Sequence, residues 1–222
     1  MTPLRRDDLP AVYAIADVRA LAPLPLPDAV EAMADAGIEW IQLRWKNPDD
    51  RRFLLWAEEC LLRLEGHRTR LWIDDRADLA CLLPVAGVHL GQNDLPAPAV
   101  RRLVGEGVWI GLSTHSESQA RAAEADPAVD VVAVGPIFPT TGKANPDPVV
   151  GLEALRRIRA LVEKPLVAIG GIDASNLDQV LAAGADSVAM LGAACRPPLA
   201  ASAGRLRAAA ERAFNPYPEV RP

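Results

Sequence analysis

The chain has 222 residues, half of them apolar and about a quarter charged, which suits one globular domain with a large core. A formal net charge of −5 predicts no general affinity for nucleic acid. No stretch approaches the ~18 consecutive apolar residues of a membrane span, and we expect no secretory signal. Three scattered cysteines without a CxxC pair predict reduced thiols and a cytoplasmic location.

Eight short apolar runs predict β-strands, and several are almost continuously apolar, as in parallel strands covered on both faces. In chain order the predicted strands are Ala11–Asp17, Trp40–Arg44, Leu71–Asp75, Gly87–Gly91, Val108–Ser113, Val131–Gly135, Leu166–Gly170 and Ser187–Leu191. The helical segments between and after them are Pro27–Ala36, Pro48–Leu64, Arg76–Leu82, Pro96–Val104, Ser116–Ala125, Gly151–Leu161, Ala174–Ala183 and Cys195–Phe214. We expect Ser116 and Asp173 to be N-caps, and Gly37 and Gly184 to end helices.

Strand and helix alternate eight times, which predicts an α/β fold, a closed (β/α)8 or TIM barrel, as a single domain over residues 1–222. The alternative is an open doubly wound sheet, but the turn after the first strand lacks the glycines typical of that fold. We expect residues 215–222 to be a poorly ordered tail. The apolar loop Leu21–Pro27 either covers the barrel mouth or packs against its rim.

Polar residues follow the second strand at the end where (β/α)8 barrels carry their chemistry. Alternation points Gln42, Arg44 and Lys46 the same way. Two cations at the mouth of an acidic protein suit an anion such as phosphate, which Arg binds in bidentate fashion and Lys neutralises. Charges at a solvated strand end explain this motif about as well.

The third and fourth strands end in carboxylates, Asp74, Asp75 and Asp94. Mg²⁺ takes one or two carboxylates and completes its coordination with water and phosphate. Helix capping is the alternative, because Asp75 and Asp94 precede predicted helices, and Arg76 could pair with one of them. With cations on the same rim, a Mg²⁺-pyrophosphate site is the better explanation.

The remaining strand ends also carry polar or flexible residues. Ser113 suits a hydrogen bond to a ligand, whereas His115 is more often structural than an acid–base group. The loop Gly135–Lys143 combines hydroxyls, a glycine and a lysine, as in an anion cradle. Glycine-bearing turns after strands seven and eight suit a phosphate on backbone N–H groups, although tight turns also favour glycine.

Six phrases, in order, resemble the thiamine-phosphate synthase family over about Tyr13 to Ala194. They are Gln42–Lys46, Asp74–Asp78, Gly87–Pro96, Gly111–His115, Gly135–Lys143 and Ala168–Ile172. The resemblance implies a transferase that joins 4-amino-2-methyl-5-hydroxymethylpyrimidine diphosphate to a thiazole phosphate, in a plain or carboxylated form, releasing pyrophosphate and giving thiamine phosphate. It implies small phosphorylated substrates, no nucleic acid or membrane partner, and a homodimer at the family level.

The resemblance also implies roles for individual residues. Mg²⁺ is held by Asp75 and Asp94. The contacts to the pyrimidine diphosphate lie in the segment Gln42, Leu43, Arg44, Trp45 and Lys46 and at Asp74, Ser113 and Lys143. Arg44, Lys46, Ser113 and Lys143 are the implied catalytic residues. The thiazole phosphate contacts Thr140, Thr141, Gly142, Gly171, Leu191 and Gly192.

Three positions depart from the family pattern. Asp74 stands where Asn is usual, Gly142 replaces a hydroxyl, and Gly192 stands where Ser is common. One rival interpretation is the thiazole tautomerase branch of the family, an isomerase that would use His115. The other is a phosphate-ligand binding protein without turnover. The residues suited to a diphosphate and its metal favour the synthase.

Overall fold

A computed structural model describes residues 4–140 and 147–214 as a closed barrel of eight parallel strands, which are hydrogen-bonded in chain order. The strands are β1 Val12–Asp17, β2 Trp40–Arg44, β3 Arg70–Asp74, β4 Gly87–Leu90, β5 Trp109–Thr114, β6 Val131–Val134, β7 Leu166–Ile169 and β8 Ser187–Met190. The closing pair joins β1 to β8. The (β/α)8 prediction is confirmed, and every predicted strand agrees within one residue at each end.

The helices pack around the outside of this barrel. They are α1 Val18–Leu21, α2 Leu26–Asp35, α3 Asp50–Arg63, α4 Ala77–Leu82, α5 Ala97–Val104, α6 Glu117–Ala125, α7 Gly151–Arg159, α8 Leu177–Ala182 and α9 Leu199–Phe214. Short 3₁₀ turns lie at Arg6–Asp8 and Gly105–Gly107. None of the helices in the described ranges is long and apolar enough to cross a membrane.

The predicted helix boundaries are partly confirmed. Ser116 caps α6 by accepting the Gln119 N–H, and Gly37 and Gly184 follow α2 and α8 with positive φ. The predicted start of α8 at Ala174 is wrong. Asp173 is not its N-cap, because its carboxylate accepts from the N–H and hydroxyl of Ser175 in a turn that precedes the helix. The last helix likewise begins at Leu199 rather than Cys195.

Large aromatic side chains fill the half of the barrel nearer the amino-terminal ends of the strands. Trp40, Trp72 and Trp109 pack together with ring centroids 4.9 to 6.1 Å apart, and Tyr13 packs edge-on against Trp40. Gly87 makes room, since a Cβ there would lie 2.4 Å from the Trp72 ring. Most of the polar side chains that point inward therefore lie above this layer, at the carboxyl ends of the strands.

The Leu21–Pro27 segment is anchored at both ends. Leu21 and Leu26 are buried in the cluster between barrel and helices, while residues 22–25 between them are exposed. Rim packing thus accounts for its apolar ends. The predictions for Thr141, Gly142 and Lys143, and for the tail at 215–222, lie outside the described residues.

Candidate active site

Arg44 joins three neighbouring strands at the barrel mouth. Its register partner on β1 is Asp17, and one oxygen of that carboxylate accepts a hydrogen bond from Arg44 Nη1. On the other side, Arg44 Nε lies 3.3 Å from Asp74 Oδ2, at the end of β3. The guanidinium is therefore held between two carboxylates that arrive from different strands.

Lys46 lies just beyond the end of β2 and reaches the acids of β3. Its Nζ is 2.8 Å from Asp74 Oδ2 and also contacts Asp75 Oδ2. Burial would lower the pKa of Lys46, but its contacts with the carboxylates of Asp74 and Asp75 outweigh burial and raise that pKa. Lys46 is thus a firmly charged cation at the mouth, as the phosphate interpretation requires.

Asp74 is the most buried acid of the group that surrounds Lys46. Burial and the charge of Asp75 raise its pKa to about 6, against the opposing effect of Lys46 and Arg44. Its Oδ2 makes ion pairs with both cations without a well-aligned hydrogen bond. The carboxylate that departs from the family pattern is therefore in contact with both cations expected to bind a diphosphate.

Asp75 adopts a left-handed backbone conformation, with φ +62°. Such a conformation is uncommon outside glycine, although Asp and Asn tolerate it best. It turns the carboxylate back toward Lys46, which donates a hydrogen bond to it, and toward the carboxyl group of Asp94, whose pKa the charge of Asp75 raises. A strained residue that brings two acids together is typical of a functional site.

Helix capping does not explain Asp75 or Asp94. The N-cap residues of α4 and α5 are Arg76 and Pro96, and neither cap has a side-chain hydrogen bond. Asp94 instead accepts the Gly91 N–H at 2.6 Å, within its own loop. Burial and the negative charge of Asp75 raise the pKa of Asp94.

Arg76 does not neutralise this pair of acids. Its guanidinium binds Asp50 and Asp78, on the helix side of the loop. Within residues 4–140 and 147–214, no three or more His, Cys, Asp and Glu side chains form a metal-binding cluster. A metal at the mouth would thus depend on the two carboxylates of Asp75 and Asp94, together with water and ligand oxygens.

Two polar pairs form the floor below these charges. Gln42 is buried and donates from Nε2 to the Tyr13 hydroxyl at 3.0 Å. Ser113 Oγ lies 2.9 Å from His89 Nε2. Gly111 makes room for the imidazole, because a Cβ there would lie 2.5 Å from His89 Nδ1. Both Gln42 and Ser113 are thus oriented by neighbouring side chains, as residues that bind a heterocycle need to be.

Leu43 and Trp45 point away from the mouth. Leu43 is fully buried between barrel and helices. Trp45 stacks on Trp56 of α3, with centroids 5.2 Å apart, and meets Phe53 edge-on at 5.9 Å. Their side chains support the strand from outside, so the ligand contacts predicted for this segment fall to Gln42, Arg44 and Lys46.

The loops after β6, β7 and β8 meet on the opposite side of the mouth. Gly171 has φ +67°, and a Cβ there would lie 2.6 Å from the Pro139 carbonyl oxygen. This close contact holds the loop with Thr140 against the Gly170–Gly171 turn. After β8, a single helical turn is closed by the Cys195 N–H on the Leu191 carbonyl, and the space around Gly192 is open.

His115 makes contacts to the protein through both ring nitrogens. Nδ1 lies 2.6 Å from the Gly135 carbonyl oxygen, and therefore carries a proton. Nε2 lies 3.4 Å from a carboxylate oxygen of Asp147. The ring links the end of β5 to the segment after β6, which is a structural role.

Asp17, His89 and Tyr13 were not predicted as site residues. The signal available in the sequence was the alternation of side chains along a strand. Asp17 lies an even number of residues after Tyr13 and so faces the interior of the barrel from β1, and His89 faces it from β4. An inward polar residue near the carboxyl end of a barrel strand is a site candidate in its own right.

The fold is a (β/α)8 barrel whose mouth carries cations and carboxylates, as in enzymes that bind phosphorylated small molecules. The family model described as thiamine monophosphate synthase matches residues 12–194. The chain is 43% identical over 187 residues to a thiamine-phosphate synthase from Koribacter versatilis, covering 82% of this chain and 88% of that protein. A thiamine-phosphate synthase from Acidothermus cellulolyticus is 42% identical over 195 residues, covering 83% and 90%.

A solved structure agrees with the sequence relatives. Thiamine phosphate pyrophosphorylase from Pyrococcus furiosus superposes with a TM-score of 0.82 at 30% identity, covering 92% of this chain and 96% of that one. The chain belongs to the thiamine monophosphate synthase family. This membership supports the transferase reaction expected from the resemblance, the condensation in thiamine biosynthesis. It does not favour the tautomerase or the non-catalytic binding protein.

Proposed function

We propose that the chain catalyses a Mg²⁺-dependent condensation of the pyrimidine diphosphate with the thiazole phosphate, with the diphosphate bound at the ends of β2 to β5. The main support for a metal requirement is the excess of negative charge at the mouth. Within the described residues, four acids surround only two cations at the mouth. The acids are Asp17, Asp74, Asp75 and Asp94, and the cations are Arg44 and Lys46. A polyanion entering that surplus of negative charge needs additional positive charge.

The donor set fits Mg²⁺. Asp75 and Asp94 bring two carboxyl groups close enough for the charge of one to raise the pKa of the other, which is unfavourable when both are ionised unless a cation lies between them. Carboxylate oxygens are the protein ligands that Mg²⁺ takes, usually only one or two at a time. When bound, the ion would neutralise charge on the diphosphate and on the departing pyrophosphate.

The reaction itself asks little covalent chemistry of the protein. The bond between the pyrimidine methylene carbon and the diphosphate oxygen breaks, and its electron pair leaves with pyrophosphate. The thiazole nitrogen then donates its lone pair to that carbon. Arg44 and Lys46 stabilise the developing charge on the leaving group, while Gln42 and Ser113 orient the pyrimidine. Lys143 is proposed for the leaving group by family position alone.

The thiazole phosphate is proposed to bind on the opposite side of the mouth. Gly171 is proposed for this site by family position, and the turn that begins at Leu191 and Gly192 presents N–H groups. Thr140 lies on the loop that packs against Gly171. Thr141 and Gly142 are proposed for the same site by family position. A cytoplasmic location and a homodimer stay predictions.

The first experiment measures pyrophosphate release by the purified protein with both substrates, in the presence of Mg²⁺ or of EDTA. We expect release that requires both substrates and the metal. Release that persists in EDTA would contradict the metal proposal alone. Absence of release in Mg²⁺, with the thiazole phosphate isomerised or merely bound, would contradict the synthase.

A further inference from the structure

Asp17 lies at the end of β1 and faces Arg44, its register partner at the end of β2. The Asp17 side chain is 7% exposed and the Arg44 side chain 17%. Asp17 Oδ2 accepts a hydrogen bond from Arg44 Nη1. Because the pair is largely removed from water, its geometry is more constrained than that of an exposed ion pair.

The second carboxylate oxygen of Asp17 is held by the backbone. Oδ1 accepts the Ala20 N–H at 2.9 Å and so caps α1. With both oxygens bound, the carboxylate cannot rotate without breaking one of these contacts. The position of Oδ2 therefore fixes one nitrogen of the Arg44 guanidinium.

On the other side of the guanidinium, Asp74 Oδ2 lies 3.3 Å from Arg44 Nε without a hydrogen bond. A guanidinium is planar, so the hydrogen bond that holds Nη1 on Asp17 limits the directions open to the other nitrogens. Within the described parts of the chain, Nη2 of Arg44 makes no hydrogen bond to the protein. Asp17 is therefore the residue whose hydrogen bond sets where this donor points.

We propose that Asp17 is a positioning residue that orients Arg44 toward the diphosphate, an inference that rests on the proposed function. Asp17 does not touch the substrate in this arrangement. Its effect is to hold the long Arg44 side chain in one conformation, which lowers the entropic cost of binding the anion. The cap on α1 makes that orientation independent of the substrate.

The test compares Asp17→Asn with Arg44→Ala and with the double variant. Asn keeps an acceptor for the Ala20 N–H and is an equally good N-cap, but it removes the charge that holds Arg44. Affinity for inorganic pyrophosphate in Mg²⁺ is measured by titration calorimetry. We expect D17N to bind about tenfold more weakly than the wild type. The double variant should bind no more weakly than R44A, because Asp17 acts only through Arg44.

Kinetics separate this role from a general structural one. D17N should raise the KM of the pyrimidine diphosphate by a similar factor and leave the KM of the thiazole phosphate within about twofold. The matched control is Glu211→Gln, which breaks an exposed ion pair with Arg207 on α9. It should change neither constant. If D17N does not fold, Asp17→Ser serves instead, since Ser also caps a helix but is too short to hold Arg44.

Three results would overturn the proposal: wild-type affinity in D17N, losses that multiply in the double variant, or no pyrophosphate binding by the wild type. A wild-type protein that binds pyrophosphate but releases none from the two substrates contradicts the proposed function instead. The calorimetric comparison would still decide the role of Asp17 in that case.

Discussion

Lys46 Nζ lies 2.8 Å from Oδ2 of Asp74, a carboxylate that is 12% exposed. This ion pair joins a cation expected to bind the diphosphate to the acid that stands where the family usually has Asn. The same oxygen is 3.3 Å from Arg44 Nε. Asp74 therefore competes with the substrate for both cations.

Asp74→Asn should preserve or improve activity. Removal of the charge frees Lys46 and Arg44 for the diphosphate, so we expect a KM for the pyrimidine diphosphate equal to or a few-fold below that of the wild type. Because the pKa of Asp74 is about 6, the difference between the two proteins should be greatest above pH 7 and shrink below pH 6. Initial rates between pH 5.5 and 8.5 measure this. A loss of a hundredfold or more would mean that the carboxylate has a specific role.

The stability of D74N relative to the wild type should also depend on pH. The folded-state pKa of about 6 lies above the ordinary value of 3.8, so the folded protein binds this proton more tightly than the unfolded chain. The resulting stabilisation is complete below pH 3.8 and is lost as the pH rises through 6. We expect the free energy of unfolding of D74N to exceed that of the wild type by about 1–3 kcal/mol at pH 8. This difference in free energy should decrease toward pH 4.5.

Urea unfolding at several pH values measures this difference in stability. Asp78→Asn is the control, because the pKa of Asp78 is shifted in the opposite direction to that of Asp74. The hydrogen bond from Arg76 is the main cause that lowers the pKa of Asp78. That contribution to stability is present above the unfolded pKa and disappears as the pH falls through the folded one. D78N should therefore lose stability at neutral pH. Identical pH dependence in D74N and the wild type would argue against a buried, ionised Asp74.

Asp94→Ala should abolish turnover while the protein stays folded. The substitution removes a proposed Mg²⁺ ligand and the hydrogen bond from Gly91, which contributes about 1 kcal/mol to stability. Asp94→Asn keeps an acceptor for Gly91 and should lose activity to the same extent with a smaller change in melting temperature. Near-normal turnover in either variant at the same Mg²⁺ concentration would remove Asp94 as a ligand.

Gly171→Ala should weaken binding of the thiazole phosphate. The new Cβ would lie 2.6 Å from the Pro139 carbonyl oxygen at a φ of +67°, so the two loops must separate. We expect the KM of the thiazole phosphate to rise at least tenfold, with a loss of about 1–3 kcal/mol in stability. Gly204→Ala is the control, since it lies within α9 with open space at its Cβ. A G171A enzyme with unchanged KM would argue against this phosphate site.

His115→Asn should reduce stability more than catalysis. The ring links the Gly135 carbonyl to Asp147, and its loss should cost about 1–2 kcal/mol. We expect pyrophosphate release within about tenfold of the wild type at saturating substrates. A loss of a thousandfold in a folded variant would restore His115 as an acid–base group.

The barrel itself was predictable from the sequence. Runs such as Val131–Val134 are apolar on both faces, as in parallel strands that lie between a core and helices. Eight such runs, alternating with helices, leave one closed architecture, and that architecture brings the carboxyl ends of the strands to one face. Gln42, Arg44, Lys46 and the acids of β3 could therefore be placed at the mouth without coordinates.

Whether Asp75 and Asp94 cap the helices that follow them could be decided only from the tertiary structure. The left-handed backbone of Asp75 turns its carboxylate toward Lys46 and Asp94, and neither acid caps the helix that follows it. Residue type at a helix start allows both arrangements, since Asp is favoured as a cap and as a cation ligand. The dihedral angles and the hydrogen bonds exclude the cap, and the role of these acids as Mg²⁺ ligands stays a proposal.

By itself, then, the sequence determined the strands, the barrel and the face that carries the site, because these follow from local periodicity and from rules of chain connection. The tertiary structure alone decided that Asp17 holds Arg44 across 27 residues and that Asp74 is buried against both cations. Leu43 and Trp45 likewise proved to face the helices. Such contacts depend on register, twist and rotamer between distant segments, which no single stretch of sequence specifies.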